Sequence, residues 1–162
     1  MKPRIVTIGV YGFNESGFFQ ALLDARVDTF CDIRLRRGMR GSEYAFVNSS
    51  KLQKKLSELG IRYIHVKDLA PSYAIREKQK EEDSKLGIAK RTRTSLGRTF
   101  IEAYQRERLI HFNSQEFLSQ VGDDAETISL FCVEREPEAC HRSLAAGKLA
   151  QELGLQIEHL QP

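Results

Sequence analysis

The sequence predicts an α/β fold: a single three-layer domain over residues 1–162, with a mostly parallel sheet of about five strands. Three observations carry this. Five short runs rich in β-branched and aromatic residues recur along the chain, at 4–10, 27–33, 61–66, 127–133 and 155–159. The segments between them place apolar residues three and four apart, the period of a helix face. The runs themselves are near-continuously apolar, and strands buried on both faces belong to parallel sheets covered by helices on both sides. No internal repeat or linker interrupts the pattern. An order of 3-2-1-4-5 is expected because it brings the ends of strands 1, 2 and 4 together, and such sheets bind ligands beyond their strand C-termini.

Each element has its own warrant. Arg4-Ile5-Val6-Thr7-Ile8-Gly9-Val10 reads as a buried strand closed by Gly9 and Gly12. Asn14 can cap a helix over 15–25 that carries Phe18, Phe19, Leu22 and Leu23 on one face. The second strand covers 27–33. A helix from Ser50 to Leu59 aligns Leu52, Leu56 and Leu59, and Gly60 stops it. The third strand covers 61–66. The stretch 68–98 is polar and irregular, with Pro71, Gly87 and Gly97; it exceeds an ordinary connection and reads as a functional or mobile insertion. Helix is expected over 95–120 with a break near His111-Phe112-Asn113, then the fourth strand at 127–133. A helix from about 138 to 153, ended by Gly154, leads to a last strand at 155–159.

Composition narrows the class. Hydrophobic residues make up 41% and charged residues 29%, too apolar for a disordered chain. No apolar run approaches the roughly 20 residues that cross a bilayer, and no signal segment is read at the start. Cys31, Cys132 and Cys140 form an odd count outside any dense framework, which favours a reducing, cytoplasmic setting. The net charge of +3 permits an anionic partner without demanding one. Its distribution says more: Arg34, Arg36, Arg37 and Arg40 form one basic cluster, and Lys90, Arg91, Arg93 and Arg98 a second.

The strand ends carry the chemistry. Gly9 and Gly12 around Tyr11 let backbone amides approach a ligand, but they make neither a dinucleotide fingerprint nor a phosphate loop, and no cofactor is assigned. Asp32 and Arg34, two apart, share one side of strand 2, where the acid can orient the Arg fork toward an anion. Arg36, Arg37 and Arg40 suit nonspecific phosphate contacts. After Glu134, Pro137 and Glu138 fit a helix start, which places Cys140-His141-Arg142 in the first turn, where amides and dipole favour an anion. The same setting can lower the pKa of Cys140. Cys132, Cys140 and His141 lack the paired-cysteine spacing of zinc ribbons or fingers, and no metal is assigned. Arg142 follows Cys140 too closely for a phosphatase-type cradle. A redox pair of Cys132 and Cys140 is a third reading. His65 and His159 read as satisfied structural groups. Tyr73 and Tyr104 could stack on bases, or simply line a solvated helix face.

Thr7-Ile8-Gly9, Cys31-Asp32-Ile33-Arg34, Leu59-Gly60-Ile61-Arg62-Tyr63 and Leu130-Phe131-Cys132-Val133-Glu134 through Cys140-His141-Arg142 resemble, in this order, the uncharacterised bacterial and archaeal family known as DUF488. The resemblance implies a fold of this class and a polar pocket built from the matched motifs, with no established reaction. Members often continue Thr-Ile-Gly with His-Ser; here Val10 and Tyr11 follow Gly9, so a base carried on that His is absent.

The resulting expectation is binding of a phosphate-bearing ligand, nucleic acid or a nucleotide, beyond the strand C-termini. Arg34 and Arg142 would hold phosphate, with Gly9, Tyr11, Arg36 and Arg37 completing the contacts. Glu134 is the first candidate general acid or base, His141 the second, and Cys140 a third-ranked nucleophile. Asp32 and Glu134 as paired acids would suit hydrolysis or glycosidic cleavage on a nucleotide. The alternative is a noncatalytic binding or regulatory module in which Asp32, Arg34, Glu134 and Arg142 lock the strand ends. No membrane partner is expected.

Overall fold

Five parallel strands form one sheet in the order β3-β2-β4-β1-β5. They are β1 (Arg4–Ile8), β2 (Thr29–Asp32), β3 (Arg62–His65), β4 (Thr127–Phe131) and β5 (Ile157–Leu160). The computed structural model describes residues 2–162, and all of their side chains but that of Arg91, which lies outside the described residues. Six helices accompany the sheet: α1 (Glu15–Asp24), α2 (Ser49–Glu58), α3 (Tyr73–Leu86), α4 (Arg98–Glu107), α5 (Ser114–Val121) and α6 (His141–Leu153).

The α/β class and the parallel sheet are as the sequence predicts, with β1 and β4 exchanging places in the order. The reason lies in their side chains. All five residues of β4 are buried, so it takes the centre. Arg4 keeps β1 half-buried at its start and donates to Glu158 of the edge strand β5 at 3.0 Å. The ends of β1, β2 and β4 still lie side by side.

Register separates the two faces. Asp32 lies opposite Phe131 and Phe30 opposite Tyr63, so these four share one face. Phe18 of α1 covers that face, with its ring 6.4 Å from Phe30 and 5.5 Å from Phe131. Thr7 and Leu130 point to the other face, where α6 packs. Asn14 caps α1 by accepting from the Gly17 amide at 2.7 Å.

Two departures from the sequence reading shape the site. The stretch 68–98 holds α3, a 14-residue helix with Ser72 as its cap and Gly87 in the left-handed conformation at its end. Its buried stripe is Ile75, Gln79 and Asp83, at i, i+4 and i+8. Because two of those three residues are polar, the apolar periodicity that marks other helices is missing here. The final helix also starts later than expected. Pro137–Ala139 form a separate 3-10 turn, and Cys140 is the N-cap of α6 rather than a residue within its first turn. Among the described residues no helix is long and apolar enough to cross a membrane.

Candidate functional site

Beyond the C-termini of β2 and β4 lies a cavity of about 890 Å³. Arg34, Glu134, Cys132 and His141 line its floor, α3 with Lys90, Arg93 and Leu96 forms one wall, and Arg36, Gly38, Met39 and Arg40 form the rim. Among the described residues, seven arginines and lysines line it against three carboxylates, so it is a cationic space.

Arg34 is the most constrained cation in it, only 3% exposed. Its Nε donates to Asp32 Oδ1 at 2.9 Å and its Nη2 to Asp32 Oδ2 at 2.8 Å, a two-pronged grip. Nη2 also donates to the Val47 carbonyl at 2.9 Å, and the guanidinium carbon stands 4.7 Å from the centre of the Phe131 ring. Asp32 is saturated: it also accepts from the Arg34 amide at 3.2 Å and from the Tyr63 hydroxyl at 2.7 Å. It grips Arg34, and with four donors on its two oxygens it has no free lone pair direction with which to act as a second acid. Burial pushes the Tyr63 hydroxyl up to about 12, so it stays protonated and donating. Arg34 Nη1 is buried and has no partner among the described residues.

Arg142 has a different role from the phosphate anchor the sequence suggests. It is fully buried. Nη1 donates to the Glu134 carbonyl at 2.6 Å, Nη2 to the Arg135 carbonyl at 3.1 Å, and Nε to the Thr7 hydroxyl at 3.3 Å. It fastens the turn after β4 to β1 and does not line the cavity. Gly9 belongs to the same joint. A Cβ there would overlap the Glu134 carbonyl oxygen and stand 3.0 Å from Arg142 Nη1. Its missing side chain serves backbone contact, not ligand contact. Tyr11 does line the cavity, with its amide donating to the Val133 carbonyl at 3.0 Å. Arg36 lies on the rim, whereas Arg37 stands outside the cavity and donates to the Tyr63 hydroxyl at 3.4 Å.

Glu134 is 5% exposed and half committed. Its Oε1 accepts from Arg93 Nη2 at 2.9 Å and lies 3.8 Å from Lys90 Nζ, while Oε2 has no partner among the described residues. Burial, reinforced by charge at Cys140, raises its pKa against the pull of Lys90, Arg93 and His141. Arg93 links this carboxylate to α3, donating to Asp83 Oδ2 at 2.7 Å and, through Nε, to the Ala139 carbonyl at 3.2 Å. Gln79 continues the network, donating to Asp83 at 2.8 Å and accepting from the Gly97 amide at 2.8 Å. Asp83 and Gln79 escaped the sequence reading. Their spacing of four behind Ile75 was the available signal. Arg93→Ala removes the cation shared by two buried carboxylates, leaving Gln79 on Asp83 and Lys90 3.8 Å from Glu134, and is expected to cost about 2 kcal/mol of stability. Urea unfolding checks this.

His141 lies on the cavity floor with Glu134, and Cys140 precedes it outside the lining. His141 Nε2 must carry its proton, because it meets the Ile33 carbonyl at 2.8 Å; Nδ1 faces Cys140 Sγ at 3.7 Å. Burial opposes ionisation of the Cys140 thiol, but the hydrogen bond from Cys132, the adjacent His141 and Arg142 together hold it well below the ordinary thiol range. Burial likewise opposes the His141 cation, and the Cys140 charge outweighs it and raises the imidazole. Burial and its bond to Cys140 raise Cys132, which remains the donor. Cys140 itself does not line the cavity, and Cys31 is fully buried elsewhere with its thiol raised by burial.

The remaining residues sort simply. His65 Nε2 donates to the Arg34 carbonyl at 2.9 Å, and His159 Nδ1 meets the Thr7 hydroxyl at 2.7 Å, both satisfied as expected. Tyr104 cannot stack on a base: it is fully buried, and its hydroxyl donates to the Leu69 carbonyl at 2.7 Å. Tyr73 is exposed and lines the cavity.

A family model described as "Domain of unknown function DUF488" matches residues 16–149, which include every one of the cavity-floor residues. No curated protein and no solved structure matches the chain.

Proposed function

The chain belongs to the DUF488 family, whose description assigns no reaction, and from its own residues we propose that it binds a phosphate-bearing ligand, a nucleotide or a nucleic-acid end, in the cavity above β2 and β4. The observation that carries this is the free Nη1 of Arg34. A buried guanidinium, gripped by Asp32 on one edge and with Nη1 buried and unpartnered on the other, is a preorganised anion donor. The cationic rim supplies attraction at longer range. Tyr73, exposed on the lining, offers a face for a base. If the ligand reacts, Glu134 is the group placed to exchange a proton with it, because Oε2 is uncommitted. A reducing, cytoplasmic setting suits three free cysteines.

A second reading applies to part of the motif. The saturation of Asp32 and of Arg142 favours the structural role for those two residues, which lock strand ends rather than touch ligand.

Fluorescence anisotropy with labelled single- and double-stranded DNA and RNA, and with labelled nucleotides, tests the proposal at low and physiological salt. Wild type is expected to bind with an affinity that falls with salt. Arg34→Lys keeps the charge on Asp32 but cannot reach both the acid and the ligand, and is expected to weaken binding by roughly 10- to 100-fold. Arg36→Ala with Arg40→Ala should cost less and mainly flatten the salt dependence. Equal binding by wild type and Arg34→Lys would overturn the proposal, as would no binding to any of these probes at low salt.

A further inference from the structure

We propose that Cys132, Cys140 and His141 bind a thiophilic divalent cation of the zinc class, held by Sγ, Sγ and Nδ1 with the fourth position open to the cavity. The three ligand atoms come from two elements eight residues apart, yet all lie within 4.8 Å of one another. The separation of Cys140 Sγ from His141 Nδ1 is 3.7 Å. A tetrahedral zinc with bonds of about 2.3 Å to sulfur and about 2.0–2.1 Å to nitrogen has a sulfur–nitrogen edge of about 3.6 Å. The pair is therefore already spaced for a shared ion.

The outer contacts are those a metal ligand needs. The Nε2 proton of His141 goes to the Ile33 carbonyl at 2.8 Å, which fixes the ring and leaves Nδ1 as the nitrogen facing Cys140 Sγ. Backbone bonds hold both thiol carriers: the Cys132 amide donates to the Ile8 carbonyl at 3.3 Å, and the Cys140 amide to the Pro137 carbonyl at 3.2 Å. Buried charge also balances. Two thiolates and a neutral imidazole neutralise a dication, which suits a site whose three residues are all buried. Two sulfurs and an imidazole select zinc or cobalt over magnesium or calcium, which take oxygen.

Access and the open position follow from the lining. Cys132 and His141 border the cavity while Cys140 is behind them, so an ion enters from the cavity side. Zinc sites with three protein ligands leave the fourth to water or substrate, whereas closed sites use four. The site stands whether or not the ligand is a phosphate.

The test uses the full chain, reduced, titrated with Co²⁺ and then with Zn²⁺ as competitor. One equivalent of Co²⁺ is expected to give an intense thiolate-to-metal charge-transfer band and tetrahedral visible bands, both removed by one equivalent of Zn²⁺. Cys132→Ser, Cys140→Ser and His141→Gln should each weaken the ion by roughly 100-fold or more, while Cys31→Ser should leave it unchanged. A folded wild type that gives no charge-transfer band, or one that oxidises to a Cys132–Cys140 disulfide under metal-saturating, reducing conditions, overturns the site. So does a Cys31→Ser variant that loses the ion. The wild-type spectrum keeps the test decisive even where a variant fails to fold, because the band itself reports sulfur ligation.

Discussion

Arg142→Ala is expected to lower the stability of the fold by about 5 kcal/mol, more than any other single truncation in the site. Two charge-assisted hydrogen bonds to carbonyls are lost, each worth roughly 1.5–3 kcal/mol. The Glu134 and Arg135 carbonyls are then left without these donors, and the Thr7 hydroxyl loses one of its two partners. The side chain is among the largest that are fully buried, so its removal also opens a cavity. At roughly 2–4 °C per kcal/mol for a domain of this size, the melting temperature should drop by about 10–20 °C. Thermal denaturation followed by circular dichroism checks it. A variant that melts with wild type would mean that Arg142 is not the fastening described, and would return it to the list of ligand contacts.

Gly9→Ala is the second large effect, expected to cost about 3 kcal/mol, at the upper end of overpacking. The added methyl would overlap the Glu134 carbonyl oxygen and lie 2.7 Å from the carbonyl carbon. Both are backbone atoms, so no side chain can rotate away. Relief requires β1 and the turn after β4 to separate, which also stretches the Arg142 bonds and tilts Glu134. A contrasting substitution makes the cause plain. Gly147 lies within α6 with nothing within 4 Å of an added Cβ, so Gly147→Ala should stabilise by about 0.5–1 kcal/mol through helix propensity alone. Denaturant midpoints for the two variants should therefore move in opposite directions. A tolerated Gly9→Ala would show that the two turns are not in contact as described.

Much of this was readable before any coordinates. Strands with near-continuous apolar runs betray their burial on both faces, so the parallel sheet and its helices follow from periodicity. The Asp32–Arg34 pair was readable because a spacing of two along a strand puts both side chains on one side. The exchange of β1 and β4 was not, since both are apolar and either order places the same strand ends together. α3 was hidden for a related reason: its inward stripe runs through Gln79 and Asp83, and polar groups that pair only in three dimensions leave no hydrophobic period. The division of labour between the two arginines was equally invisible. Arg34 and Arg142 look alike as residues beside strand ends, and each guanidinium meets three acceptors; only their distribution separates the two, since Arg142 commits all three nitrogens and Arg34 leaves Nη1 without a partner. The nearness of Cys132 to Cys140 depends on the 3-10 turn at Pro137–Ala139, which doubles the chain back in a way no ligand spacing rule anticipates.

The central claim is that one guanidinium, Arg34, is the anion donor of the cavity. The most direct measurement is the side-chain ¹⁵N–¹H spectrum of the arginines, recorded during titration with inorganic phosphate and then with a nucleoside monophosphate. The account predicts that the Arg34 signals shift in a saturable way at both ligands, with Arg142 unmoved because all three of its nitrogens are already committed to the fold. Shifts confined to Arg36 and Arg40, with Arg34 silent, would contradict it.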